Sequence, residues 1–265
     1  MSFPLIFKAL RDRWRGVIFW ILGTAGLAGM ELYVFPSVKE TSGQMDAFIK
    51  ALPEAFVAMF GMQDYSSPAG FLGTELFSIV VPLVYISIGA SWAAAATADE
   101  EERGTADILF ALPIRRWRIL TSKLIAMILV LAILSVAIWA TIRFGGELVD
   151  LQIADDHLWA ILASCFGLAL VFGGISLLFA TASSKRGVAM SATIGLAVLG
   201  FLLYSLAPLV KELDDTKQYN PYQWALGEKP LVNGFDWVGL EWLGATALVC
   251  FVISGLILHR RDIGN

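Results

Sequence analysis

Charge is scarce in this chain. Asp, Glu, Lys and Arg make up 16% of its 265 residues, against about 25% in an ordinary soluble domain. So few charges do not suit a water-exposed surface of this size. Histidine and cysteine are scarcer still, with two of each. His157 and His259 fall at opposite ends of the topology expected below, which argues against a shared metal site. Cys165 and Cys250 lie inside apolar runs without metal-ligand spacing, so packing is their expected role. No Gly-x-x-x-x-Gly-Lys-Ser/Thr occurs. Without a phosphate-cradling loop, the chain cannot hydrolyse ATP by that route. The apolar runs are themselves nearly free of charge, so no chain of buried carboxylates suggests a proton relay.

What the chain has instead is length of apolar sequence. Hydrophobic residues make up 57% of it, bunched into runs. A helix needs roughly 20 apolar residues to cross the hydrocarbon core. Six stretches qualify: Val17–Phe35, Phe71–Ala98, Leu124–Phe144, Leu158–Ala182, Val188–Val210 and Leu240–Leu258. The first is too long for a secretory signal core and no small-residue cleavage site follows it, so it is expected to be retained. The fold class is therefore an all-α membrane protein with six transmembrane helices in one domain, residues 1–265. Small residues four apart, such as Ala25 and Gly29, Ser87 and Ser91, Gly89 and Ala93, and Ala163 and Gly167, suit close helix packing. Pro82 marks an expected kink.

Six spans put both termini on one side, and Lys and Arg decide which. Thirteen of the 19 basic residues fall in the N-terminus, the second-to-third and fourth-to-fifth connections and the C-terminus. The other six fall on the opposite side. Both termini are expected in the cytoplasm and the chain in the cell membrane, crossing it several times.

The connecting segments carry their own patterns. Residues 1–16 read as an interfacial helix, with Phe3, Ile6, Phe7, Leu10 and Trp14 at helical spacing and Lys8, Arg11 and Arg15 between them. The plainer alternative is a basic topology anchor. Between spans 1 and 2, Met45, Phe48, Ile49, Leu52, Phe56, Met59 and Phe60 repeat at three- and four-residue steps, which predicts an outer amphipathic helix bent at Pro53. Prolines and glycines over 211–239 predict irregular structure, with Tyr219, Tyr222, Trp224, Phe235 and Trp237 at the membrane–water boundary; the alternative is an aromatic substrate-binding patch. Glu31, Glu75, Arg143 and Glu241 fall at the outer ends of spans, where they either pair with one another or face water.

The connection 98–123 is longer and more patterned than a link between spans requires. An acidic run, Asp99 to Glu102, ends one helix. Gly104 permits a sharp turn, Thr105 can cap a new helix, and Asp107 sits near its positive end. Ile108, Leu109 and Leu112 give that short helix an apolar side. Pro113 stops it and can open the next, and Arg115, Arg116 and Arg118 lead into the third span. The pattern predicts a compact helix held outside the membrane between spans 2 and 3.

The stretch Glu101-Glu102-Arg103-Gly104-Thr105-x-Asp107-x-Leu109-x-x-Leu112-Pro113-x-x-Arg116 resembles the inner loop of type-2 ABC export permeases, and Lys123 fits the family's lysine at the start of the third span. The ending Arg260-Arg261-Asp262-Ile263 and the Asn220-Pro221 stretch before the last span are also similar to members of that family. The resemblance covers essentially the whole chain. It implies a permease subunit of an ATP-driven exporter, working as a dimer with a second copy or homologue and with two cytoplasmic ABC ATPase subunits. The short helix would be the coupling helix, and Glu101, Glu102, Gly104, Thr105, Asp107, Ile108, Leu109, Leu112, Pro113 and Arg116 the ATPase-coupling residues. Lys185 and Arg186, between spans 4 and 5, would form a second, smaller contact. The chain would be no enzyme: it would hold no cofactor or metal, ATP and Mg would sit on the partner ATPase, and its other partner would be membrane lipid, with no nucleic acid. The principal rival is an ion-coupled carrier or channel without an ATPase. An intramembrane enzyme is a third reading, disfavoured by the separated histidines. Neither rival requires a docking helix of this form, and the cargo is not written in the sequence.

Overall fold

The computed structural model describes residues 3–53, 56–57, 61–97, 116–183 and 185–260. Among these, regular structure is entirely helical. Helix α1 spans Phe3–Glu40 and α2 Ser42–Ala51. A short α3, Pro68–Leu72, runs into a π-helical turn, Gly73–Phe77, and α4 follows at Val80–Ala95. Then come α5 (Arg116–Leu148), α6 (Asp155–Ser183) and α7 (Arg186–Leu206). After a 3-10 segment, Lys211–Tyr219, lie α8 (Pro221–Leu226), α9 (Pro230–Asn233) and α10 (Trp237–Arg260).

Five helices, α1, α5, α6, α7 and α10, are long and apolar enough to cross a membrane. The expected second span is a pair of helices, Pro68–Phe77 and Val80–Ala95, that meet at 41°. The break lies one turn before Pro82, and the reason is local. Proline has no N–H, so the carbonyl four residues back, at Ser78, loses its helical donor. Ile79 accordingly leaves the helical basin, at φ −132°.

Three expectations are corrected. Residues 3–16 do not form a separate interfacial helix, because α1 runs unbroken from Phe3 through Arg15, Gly16 and Val17. One glycine costs a helix only about 1 kcal/mol, and nothing else there stops propagation. Ile6 and Leu10 pack toward the core while Phe7 and Trp14 stay exposed. The helix after span 1 breaks at Pro53 rather than bending there. It ends at Ala51, since Leu52 precedes proline and is driven extended, at ψ 152°, and helical bonding resumes beyond it, where the Phe56 and Val57 amides donate to the Pro53 carbonyl. Residues 211–239 are more helical than expected, because Pro221 and Pro230 each open a short helix, where a missing N–H costs nothing.

Helix α6 is the axis of the bundle. Of its most apolar stretch 72% is buried, against 17% for α1 and for α7, and it packs against α4, α5, α7 and α10. Backbones approach closely where side chains are small. A Cβ on Gly89 of α4 would lie 2.4 Å from the Ala169 carbonyl oxygen of α6, and one on Gly174 would lie 2.7 Å from Cβ of Cys250 on α10. In lipid, where apolar burial drives helix association weakly, such close packing is a main source of cohesion. Buried hydroxyls tie the same helices: Ser176 Oγ donates to the Ala90 carbonyl at 2.9 Å, and Tyr85 Oη lies 2.7 Å from Ser135 Oγ. Both cysteines are free and buried, as their packing role requires.

Candidate coupling face

The helices alternate in direction, so one end of the bundle gathers the start of α1, the end of α4, the starts of α5 and α7 and the end of α10. The connection expected to carry the coupling helix leaves from this end and returns to it. Glu101, Glu102, Gly104, Thr105, Asp107, Ile108, Leu109, Leu112 and Pro113 lie outside the described residues, and Arg116 is placed only as the first residue of α5. What the structure provides is the frame on either side.

The last turns of α4 are held by cations from three other helices. Lys123 Nζ of α5 donates to the Ala96 carbonyl at 3.0 Å. Arg186 Nη2 of α7 donates to Ser91 Oγ at 2.9 Å. Arg13 of α1 places its guanidinium carbon 5.3 Å from the centre of the Trp92 ring. A helix C-terminus presents unpaired carbonyls and partial negative charge, so cations there are favourable. A guanidinium over an indole face adds attraction to the ring's quadrupole. Thr97, the last described residue of this arm, is buried, and its Oγ1 has no hydrogen-bond partner among the described residues.

The returning arm is seated by shape. Trp117, second residue of α5, lies against Gly255 of α10, where a Cβ would be 2.0 Å from Cζ3 of the indole. A cavity of about 140 Å³ opens beside this contact, lined by Trp117, Gly255, Leu256, Leu258 and His259. Both arms of the connection are thus fixed to the bundle, one by charge and one by a ring lying on a glycine.

Of the second predicted contact, Lys185 is exposed at the turn before α7, while Arg186 reaches into the bundle to Ser91. Arg13, Trp92, Trp117 and Gly255 also hold this frame, and none of them carries a signal for it in the sequence. Arg13 counted only as a topology charge, and a tryptophan at a span end reads as an interface anchor. Lys123 was the residue with a legible signal, through the resemblance.

At the opposite end, Glu31 is half-buried on α1 and lies within electrostatic reach of Glu75, while Arg143 and Glu241 pair with neither of them. Arg143 pairs with Glu147 one turn on and with Asp155 at 3.4 Å. Glu75, in the π-helical turn, accepts from Tyr65 Oη at 2.6 Å, and burial first, then Glu75, pushes the Tyr65 phenol above its ordinary range. Glu241 is exposed. Lys39 at the end of α1 bonds Asp150 at 2.5 Å, and that hydrogen bond and charge hold the Asp150 carboxyl below the usual carboxylate range. No group of three or more potential metal ligands occurs among the described residues.

The model of a family described as ABC-2 family transporter protein matches residues 4–262. No curated protein matches the chain.

Proposed function

The chain belongs to the ABC-2 transporter family, and on that premise we propose that it is the six-span permease subunit of an ATP-driven exporter. In this proposal two such subunits form the cargo pathway, and each is moved by a separate cytoplasmic ABC ATPase. The bent pair α3–α4 counts as the second span. Both termini and the 98–123 connection face the cytoplasm of the cell membrane, as the 13-to-6 distribution of basic residues favours. The chain itself holds no nucleotide; ATP and Mg belong to the partner.

The observation that carries this assignment is the Glu101–Arg116 motif, leaving the bundle between two arms that are fixed at the same end. A helix on a loose tether would absorb the ATPase's movement. A helix held by the α4 end and by Trp117 passes movement to α1, α7 and α10 as well as to its own spans. Ile108, Leu109 and Leu112 dock in the partner's groove, while Gly104 and Pro113 set the ends of the docking helix. Lys185 offers a second contact beside it.

The test is biochemical. The purified chain should show no ATP turnover above a protein-free blank. The complex isolated with its native ATPase should hydrolyse ATP, with two permease and two ATPase chains in its native mass. Turnover by the chain in a preparation free of other proteins would contradict the division of labour, and a permease-only mass would contradict the assembly.

A further inference from the structure

The turn between α5 and α6, at the end of the bundle away from the coupling face, borders a half-open cavity of about 350 Å³. Its polar lining is Arg143, Glu147, Gln152 and Asp155, and Leu151 and Ile153 are among its apolar walls. That volume lies within the range that holds small ligands.

The charged groups are only partly used. Arg143 Nη1 donates to Glu147 Oε1, and its Nε lies 3.4 Å from Asp155 Oδ1 as an ion pair. Its Nη2 makes no hydrogen bond among the described residues. A guanidinium offers five N–H donors in a fixed fork, so one edge of the fork stays open to an acceptor. Asp155 Oδ1 also accepts from Trp139 Nε1 at 3.1 Å, which leaves Oδ2 open, as Oε2 is on Glu147. The lining thus combines one open cationic edge with two open carboxylate oxygens. A purely anionic ligand would meet two carboxylates for one guanidinium. A purely cationic one would meet the guanidinium. A ligand with an ammonium a short arm away from a phosphate satisfies both.

The surroundings fix the depth. Trp139 stacks on Trp159, with ring centres 5.5 Å apart, and meets Phe144 edge-on at 6.0 Å. Aromatic clusters of this kind mark the level of lipid headgroups. On α5 beside the cavity, Phe144 and Leu148 are 61% and 87% exposed, an apolar surface that suits acyl chains.

We propose that this cavity binds a zwitterionic ammonium–phosphate group, with phosphate on Arg143 and ammonium between Glu147 and Asp155, as in a phosphatidylethanolamine headgroup. The same chemistry in a free solute is the other source. The site is independent of the coupling face and of the ATPase.

Native mass spectrometry of the purified chain tests this. The probes are phosphatidylethanolamine and phosphatidylglycerol with the same acyl chains, and soluble O-phosphoethanolamine. The wild-type chain should retain phosphatidylethanolamine in several-fold preference to phosphatidylglycerol. Arg143→Met should lose about tenfold in retention, as expected for removing a charge-assisted contact. Glu147→Gln should keep phosphate binding and lose the preference, which covers the case in which Arg143→Met fails to fold. Retention of the lipid without binding of O-phosphoethanolamine assigns the lipid source, and binding of O-phosphoethanolamine alone assigns the solute; both uphold the site. Equal retention of the two lipids by the wild-type chain with no O-phosphoethanolamine bound would overturn it. So would undiminished retention by folded Arg143→Met, or an unchanged preference in Glu147→Gln.

Discussion

Gly89 and Gly29 look alike in sequence, each one half of a small-residue pair at four-residue spacing. In the structure a Cβ on Gly89 would press the Ala169 backbone, whereas one on Gly29 would meet nothing within 4 Å. Gly89→Ala should therefore lower the thermal unfolding midpoint of the purified chain, with an overpacking cost of about 1–3 kcal/mol. Gly29→Ala should leave it unchanged or raise it slightly through helix propensity. An equal shift for both would mean that Gly89 packs less tightly than the α4–α6 geometry requires. Spacing alone made both pairs candidates, because it shows that a helix has a smooth face and not what lies on that face. The same limit hid Gly255. It lies near the end of the last apolar run with no small partner at four residues, and only the fold brings Trp117 onto it.

Among the elements, the long helices were legible and their interruptions less so. Runs of apolar residues announced α5, α6, α7 and α10 because a helix in lipid has few competitors once its backbone bonds are internal. The ends of α5, α6 and α10 lie farther out than their apolar runs, as at Arg116 and Leu148 of α5, since polar residues extend a helix beyond the hydrocarbon. In contrast, α7 stops at Leu206, two residues before Pro208 and short of its run's end at Val210. The kink at Pro82 was legible, but its form was not: the π-helical turn over Gly73–Phe77 has no signature in composition. Pro82→Ala should supply the donor that the Ser78 carbonyl lacks. One recovered hydrogen bond is worth about 1 kcal/mol, so amides around Ile79–Leu83 should exchange roughly fivefold more slowly. Unchanged exchange there would assign the bend to the π-helical turn rather than to the proline. The N-terminal helix failed as a separate element because amphipathic spacing over 3–15 continues without a stop into Val17, and spacing cannot supply a boundary that no residue encodes.

For the whole molecule, charge was the most legible property. The basic residues that set the expected orientation also hold the bundle: Arg13, Lys123 and Arg186 converge on the end of α4. Orientation has a direct check. Single cysteines at Gln44, Asp155 and Lys217 should react with an impermeant maleimide from outside intact cells, and cysteines at Arg103 and Lys185 should react only after permeabilisation. External labelling of Arg103→Cys would invert the topology. That α6 forms the axis was not predicted, although its glycines, alanines and serines on every face are what a helix surrounded by others requires. The proposed docking helix is legible only in sequence, as a Gly-to-Pro frame around an apolar side, and the structure contributes the two arms on either side of it.

In the proposed assembly this frame delivers the ATPase's work to the bundle. That role is tested most directly by measuring association of the native ATPase with the wild-type chain and with Leu109→Asp, in one detergent and at one ionic strength. Burying a leucine at an interface is worth about 1.5–3 kcal/mol, and an unpaired charge in its place is worse than its loss. The ATPase should therefore bind Leu109→Asp at least about tenfold more weakly. The variant's own melting temperature should stay within a degree or two of wild type, because a residue outside the spans contributes little to the bundle. Undiminished binding by Leu109→Asp, with ATP turnover still coupled to transport, would contradict the docking role of the 98–123 connection.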